Sequence, residues 1–193
     1  MQMINGAADA KLQRFDVKQV KHKRPIISST LSMFQRILLA TDGTVTDILE
    51  SYLCEPIQVV KLSEILLPTP DDIDTLHVFQ GTEMIYRKIL LQGKVSHKNY
   101  LYAKSILVPD RLEDSFRHEL LNSQVPIGRL WREKRIETFK VIIDTTLESA
   151  NQLSEFFEIS KDSEMLSRTY QVFSSGQIIM VITEKFPATY FTD

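Results

Sequence analysis

The sequence predicts an α+β fold with a single antiparallel sheet of about six strands and helices packed on it. First, apolar and β-branched segments of alternating polarity occur mostly as neighbouring pairs, which is typical of hairpins. Second, helical patterns lie at the start and between these pairs without regular strand–helix alternation, which argues against a doubly wound parallel sheet. The 193 residues are an ordinary size for one domain.

Composition narrows the function classes. A net charge of −2 gives no overall attraction to nucleic acid or to a membrane surface. No apolar run approaches the ~20 residues that a membrane-spanning helix needs. Cys54 is the single cysteine, which excludes a disulfide framework within the chain and favours a reducing compartment. We therefore expect a cytoplasmic protein that binds no nucleic acid and does not insert stably into a membrane.

The organisation along the chain is simple. Residues 1–27 are rich in lysine and arginine and poor in apolar residues, and are predicted to form a flexible basic arm. Residues 28–193 contain no linker-like stretch and no internal repeat, and are predicted to form a single domain. The sequence gives no indication of the oligomeric state.

The first elements follow from local patterns. Apolar residues at helical spacing predict a helix over residues 31–40. Thr44 is predicted to cap a second helix, with Asp47 completing a capping box, and the helix ends before Pro56. The β-branched run at residues 57–62 predicts a strand.

The middle of the chain contains the clearest strand pair. Residues 66–75 include two prolines and an acidic cluster and predict a loop. Residues 84–91 and 99–108 alternate in polarity and predict two strands of a hairpin. Asp110 is predicted to cap the helix that follows.

Residues 124–132 form a second special segment, because Pro126 fixes one backbone torsion and Gly128 frees another. The segment is either an ordinary connection or a flap whose backbone approaches a ligand. Beyond it we predict a strand over residues 136–143, a helix over residues 147–157, and a hairpin with strands over residues 165–173 and 177–186.

Two charged residues interrupt apolar strand faces. Alternation places Arg87 in one row with Ile85, Ile89 and Leu91. The C-terminal strand has one row containing Ile178, Met180, Ile182, Glu184 and Phe186. A buried guanidinium or carboxylate is costly unless paired, so these rows predict a buried polar site in an apolar pocket. A structural ion pair between Arg87 and Glu184 is the alternative.

As a functional site, Arg87 presents a planar fork suited to a carboxylate, and Glu184 can exchange a proton with a substrate oxygen. Together they suit a small, flat, acidic substrate with an oxygen at its far end. Other familiar sites are missing from the sequence: there is no GxSxG, phosphate-loop, GxGxxG or HExxH motif. The four histidines lack metal-ligand spacing, so we expect no metal site.

Several runs of the sequence resemble chorismate pyruvate-lyase, also called 4-hydroxybenzoate synthase. They are YRKILLQG (86–93), YLYAKSILVP (100–109), VPIGRLW (125–131) and ITEKFPATYF (182–191). The run FQRILLATDGTVTDILESYL (34–53) is especially similar to the cyanobacterial, plastid and archaeal branch of that family. The resemblance covers residues 31–191 and implies a chorismate lyase-like fold with an internal ligand cavity closed by two flaps.

The resemblance also implies an activity, namely elimination of pyruvate from chorismate to give the quinone precursor 4-hydroxybenzoate, without metal or organic cofactor. It implies that Arg87 holds the ring carboxylate and that Glu184 contacts the ring's para oxygen. The flap positions that it implies for substrate contact are Ile127, Gly128, Val45 and Thr46. The substrate's second carboxylate has no clear partner in the sequence, and Lys104 and Arg129 are the candidates.

Three alternatives remain open at this point. The first is a non-catalytic sensor or carrier of an aromatic acid, since the effector domains of some bacterial transcription regulators share the lyase fold. Because only a short basic stretch precedes residue 31, a regulator with a DNA-binding domain there is not expected. The second is an enzyme acting on a related acid, and the third is a protein whose buried Arg87 and Glu184 are only structural.

Overall fold

The computed structural model describes residues 24–26, 28–123 and 125–192. Most of the predicted arm, residues 1–27, lies outside the described residues, so its flexibility stays a prediction. Arg24–Pro25 are described, and they form a two-residue strand, β1, that pairs with Leu147 and Thr146.

The described elements are five α-helices and seven strands, joined in places by short 3-10 turns. The helices are α1 (Met33–Ala40), α2 (Val45–Leu53), α3 (Asp114–Asn122), α4 (Ile127–Glu133) and α5 (Ser154–Phe157). The strands are β1, β2 (Ile57–Pro68), β3 (Glu83–Gly93), β4 (Asn99–Leu107), β5 (Phe139–Ser149), β6 (Glu164–Ser174) and β7 (Gln177–Pro187).

All strands belong to one antiparallel sheet with the order β1-β5-β6-β7-β4-β3-β2. Six long strands with helices packed on them confirm the predicted α+β fold. The main core lies between one face of the sheet and α1 to α4. Two smaller apolar clusters cover parts of the other face. No helix in the described part of the chain is long and apolar enough to cross a membrane.

The predicted helix over residues 147–157 is wrong in its first part. Leu147 lies in β5 and pairs with Leu166 of β6, and a register shift between Ile142 and Asp144 interrupts the ladder. The helical spacing of apolar residues was real but short, and pairing with β6 overrides it. Only the end of the segment is helical, as the 3-10 turn Asn151–Leu153 and α5.

The predicted helix starts also need correction. Thr44 does precede α2, but its side chain makes no capping hydrogen bond. A capping box is instead present at α1, between Ser32 and Gln35. The helix predicted to begin at Asp110 starts later, because Pro109–Arg111 form a 3-10 turn before α3.

Strand β2 continues to Pro68, so the first residues of the predicted 66–75 loop are strand. The extension is possible because β2 is the last strand of the sheet and pairs only with β3, where a proline without an N–H is tolerated. The segment predicted as a connection or flap at residues 124–132 contains helix α4.

The β3–β4 hairpin is fixed to the end of α2 by Glu55. Its carboxylate accepts hydrogen bonds from the backbone N–H of Val95 and Ser96 and from the Tyr100 hydroxyl, at 3.0 to 3.1 Å. These bonds, led by that from the Ser96 N–H, lower the pKa of Glu55 to about 2. A Cβ built on Gly93 would lie 2.5 Å from this carboxylate.

We therefore expect Gly93→Ala to lower the melting temperature, because the added methyl group displaces the Glu55 carboxylate from its hydrogen bonds. Thermal unfolding measures the effect. Because the pKa of Glu55 is lower in the folded than in the unfolded protein, its ionised carboxylate stabilises the fold at pH values above its ordinary pKa. This stabilisation is lost as pH falls toward about 2. The variant should thus show a smaller loss of melting temperature on acidification. An unchanged melting temperature at neutral pH would contradict this account.

Candidate functional site

A partly open cavity of about 60 Å³ lies between the main-core face of the sheet and the N-terminal ends of α2 and α4. Its wall brings together the two residues predicted for catalysis, Arg87 and Glu184, and the four predicted flap positions, Val45, Thr46, Ile127 and Gly128. The volume is below the ~150 Å³ of a cavity known to hold benzene. A single-ring acid therefore enters only when the cover of the cavity moves.

The floor of the cavity exists because β4 has small side chains there. Ser105 lies opposite Arg87 of β3, and Ala103 lies opposite Glu184 of β7. Since β4 separates the two charged residues and they are offset by two positions, strand spacing puts their Cα atoms roughly 12 Å apart. This arrangement leaves space between the two side chains.

Arg87 is 1% exposed, and its guanidinium is only partly used. Its Nε lies 3.1 Å from Oε2 of Glu64 on β2. Neither Nη1 nor Nη2 has a hydrogen-bond partner among the described residues. Burial lowers the pKa of Arg87, and the Glu64 charge partly opposes that shift. The two Nη groups are therefore donors that an anionic ligand could use.

Glu184 is 7% exposed and belongs to a different ion pair. Its carboxylate accepts hydrogen bonds from Arg168 Nε at 2.7 Å and from the Tyr170 hydroxyl at 2.9 Å. Burial raises the pKa of Tyr170, and the neighbouring Glu184 charge raises it further. Arg87 and Glu184 therefore do not form the single structural ion pair considered from the sequence.

Arg168 was missed in the sequence although the same reasoning could have found it. It lies on β6 in one buried row with Leu166, Tyr170 and Val172, so it interrupts an apolar face just as Arg87 does. Its Nη1 donates to the Thr41 carbonyl at 2.9 Å, which anchors the segment before α2 to the sheet.

Two short segments, residues 44–46 and residues 126–128, cover the cavity, and we call them the first and second flap. They touch each other, since a Cβ on Gly128 would lie 2.6 Å from Cγ2 of Thr44. Only glycine permits this approach. Arg129 of α4 donates two hydrogen bonds to the Glu50 carboxylate of α2, at 2.9 and 3.1 Å, and so joins the helices behind the flaps.

Lys140 and Trp131 also line the cavity, and neither was singled out as a site residue from the sequence. The Lys140 ammonium donates to the Gly43 carbonyl at 2.7 Å. Burial lowers the pKa of Lys140, and the Glu184 charge opposes that shift. The buried indole Nε1 of Trp131 has no hydrogen-bond partner among the described residues.

Both sequence candidates for a second carboxylate are placed elsewhere. Arg129 is bound to Glu50. Lys104 lies between Ala103 and Ser105, which line the cavity, so alternation along β4 points it to the opposite face of the sheet.

Fold and site together define a small α+β domain with a cavity lined by a buried arginine and a buried glutamate. The chain belongs to the family described as chorismate pyruvate-lyase Rv2949c-like, which matches residues 39–192. It is 29% identical over 159 residues to a chorismate pyruvate-lyase from Mycobacterium leprae, covering 82% of this chain and 76% of that protein. It is 28% identical over 162 residues to one from Mycobacterium tuberculosis, covering 82% and 81%.

Solved structures show the same fold at low sequence identity. The effector domain of PhnF from Mycobacterium smegmatis has a TM-score of 0.62 and 14% identity, covering 80% of this chain and 94% of that domain. The C-terminal domain of a histidine utilization repressor from Pseudomonas syringae has a TM-score of 0.54 and 11% identity, covering 71% and 95%.

Proposed function

We propose that this protein is a chorismate pyruvate-lyase that eliminates pyruvate from chorismate and leaves 4-hydroxybenzoate. The observation that carries the proposal is the open guanidinium of Arg87, which lies across a floor of small side chains from Glu184. Membership of the lyase family supports the same reaction. Arg87 holds the ring carboxylate, and Glu184 contacts the para oxygen of the ring.

The reaction needs little chemistry from the protein. The ether C–O bond to the enolpyruvyl group breaks, the ring loses one proton from the adjacent hydroxyl-bearing carbon, and enolpyruvate takes up one proton to become pyruvate. The ring becomes aromatic, so the driving force lies in the substrate. The protein orients the ring, excludes water and handles a proton, and general acid–base catalysis typically contributes ~10²–10⁴-fold.

The flaps contribute closure and backbone contacts in this proposal. Val45 and Thr46 of the first flap and Ile127 and Gly128 of the second contact the bound ring from the side opposite the sheet. Because the cavity of about 60 Å³ is too small for the ring, the flaps separate to admit substrate and close over it.

The remaining parts of the proposal follow from this activity. No metal or organic cofactor takes part, because the substrate itself supplies the leaving group and the aromatisation. The product serves as a quinone precursor, and the protein belongs to the cyanobacterial, plastid and archaeal branch of the family. The exposed free thiol of Cys54 fits a cytoplasmic location.

Incubation with chorismate tests the proposal. We expect pyruvate and 4-hydroxybenzoate to appear in equal amounts, measured by a coupled pyruvate assay and by chromatography of the same samples. Chorismate decomposes slowly by itself, so the matched control is the Arg87→Met variant at the same concentration. Wild-type rates equal to that control would contradict the proposal.

A sensor or carrier of an aromatic acid is the second candidate, and the structural likeness to an effector domain of a regulator favours it. Such a protein binds 4-hydroxybenzoate but releases no pyruvate from chorismate. Calorimetry with 4-hydroxybenzoate, run beside the turnover assay, separates the two candidates. An enzyme acting on a related acid would show neither strong binding nor turnover with these compounds.

A further inference from the structure

We propose that Lys140 and the indole N–H of Trp131 form a subsite that binds a second carboxylate, so that the cavity selects dicarboxylates over monocarboxylates. The inference rests on the proposed function, in which the enolpyruvyl group of the substrate carries that carboxylate. It adds two substrate-binding residues on the side of the cavity away from Arg87.

Neither of the two cations that line the cavity, Arg87 and Lys140, has a carboxylate to itself within ion-pair distance among the described residues. Glu64 is shared by Arg87 and Lys61, whose nitrogens lie 3.1 and 2.9 Å from its oxygens. The Glu184 carboxylate likewise interacts with two cations, Arg168 at 2.7 Å and the nearby Lys140. Each of these two carboxylates thus faces two cations, and the Asp42 carboxylate also acts on Lys140. Arg87 and Lys140 are therefore the cations available to a carboxylate at each end of a ligand.

Two residues with unused hydrogen-bond donors line this side of the cavity. Lys140 has three N–H groups and gives one to the Gly43 carbonyl. Its Nζ lies 5.8 Å from the centre of the Trp131 ring and 5.4 Å from that of Tyr170. The Trp131 Nε1 is buried without a partner among the described residues. A buried indole N–H normally finds an acceptor, and a ligand carboxylate beside Lys140 supplies it.

The position across the sheet suits a two-ended ligand. Lys140 is on β5 and Arg87 on β3, four strands away, so their Cα atoms are roughly 19 Å apart at ordinary strand spacing. Both long side chains reach the same cavity wall and shorten this gap. Glu184, on β7 between them, lies beside the middle of a ligand that spans the two cations.

A purely structural role for Lys140 makes a different prediction. Through Gly43 it holds the segment just before the first flap, and loss of that contact would loosen the flap for every ligand. A carboxylate-binding role affects a dicarboxylate much more than a monocarboxylate. The ratio of the two affinities therefore separates the roles.

The experiment compares Lys140→Met with Lys140→Arg and with the control Lys104→Met, which removes a lysine on the opposite face. Chorismate is titrated by calorimetry in the Glu184→Gln background, where turnover is slow, and 4-hydroxybenzoate is titrated in the same proteins. We expect Lys140→Met to weaken chorismate binding by ~10–100-fold and 4-hydroxybenzoate binding by less than ~3-fold. Lys140→Arg should restore most of the chorismate affinity, and Lys104→Met should change neither affinity.

Trp131→Phe keeps the ring and removes the N–H, and should weaken chorismate binding by ~3–10-fold with little effect on 4-hydroxybenzoate. Equal weakening of both ligands by Lys140→Met, or no weakening of chorismate, would overturn the subsite. These results do not depend on turnover, so they are read separately from the pyruvate assay that tests the lyase activity.

A pH profile gives an independent signature. Glu184, Arg168 and Asp42 are the charged groups that act on Lys140, and burial holds the pKa of its ammonium below the ordinary value of 10.5. The ammonium is lost as pH rises through that lowered pKa, so chorismate affinity should fall there. In Lys140→Arg this alkaline loss should disappear, because a guanidinium does not titrate in this range. The same loss in Lys140→Arg would contradict the assignment.

Discussion

Replacing Arg87 with methionine is expected to weaken 4-hydroxybenzoate binding by ~30- to 5,000-fold. Removal of one partner from a buried, hydrogen-bonded charge pair typically costs ~2–5 kcal/mol, because the other charge stays desolvated and unpaired. The two unpartnered Nη groups of Arg87 are the donors that the ring carboxylate loses. Calorimetry at neutral pH measures the change, and chorismate should lose affinity in parallel.

Two controls accompany this variant. Arg87→Met also takes a partner from Glu64, so the double variant with Glu64→Gln separates ligand binding from the cost of an unpaired carboxylate. Arg129→Met removes an arginine that is bound to Glu50 beside the second flap, and it should leave the affinity within ~3-fold of wild type. Affinity that is retained in a folded Arg87→Met/Glu64→Gln protein would rule out Arg87 as the carboxylate site.

Replacing Glu184 with glutamine is expected to lower kcat by ~10²–10⁴-fold while 4-hydroxybenzoate affinity stays within a few fold. Glutamine keeps the shape of the side chain and can still accept from Arg168 and bond with Tyr170, so packing around it survives. What it loses is the capacity to take up and return a proton. Steady-state turnover of chorismate together with calorimetry separates the two effects.

Glu148→Gln is the matched control for this second prediction. Glu148 is also a buried carboxylate in an ion pair, with Lys185 at 2.6 Å, but it is not part of the cavity wall. Its replacement should change stability without changing kcat. If Glu184→Gln turned over chorismate at the wild-type rate, Glu184 would have no part in proton transfer.

The two central residues could be located from the sequence because strand alternation is a strong local rule. Arg87 and Glu184 interrupt apolar rows, and the structure places both on the main-core face. The residues predicted to share one face of β7 do face the main core, except Ile178. The ladder shifts register between Val172 and Phe173, and Ile178 therefore packs in a small cluster on the other face.

The rest of the site depends on pairing that a single sequence does not display. Arg168 reaches Glu184 only because β6 and β7 pair in one particular register. Lys140 reaches the cavity only because β5 lies beside β6, in a region whose C-terminal part was predicted as helix. Long-range register was thus the missing information, while residue type and local alternation were sufficient for Arg87 and Glu184.

The central claim is that Arg87 and Glu184 hold the two ends of one aromatic ring inside a single cavity. The most direct measurement is a crystal structure of the protein with bound 4-hydroxybenzoate. We expect the carboxylate on the two Nη atoms of Arg87, the phenol oxygen within hydrogen-bond distance of Glu184, and both flaps closed over the ring. A ring bound outside this cavity, or one inside it with its carboxylate away from Arg87, would contradict the account.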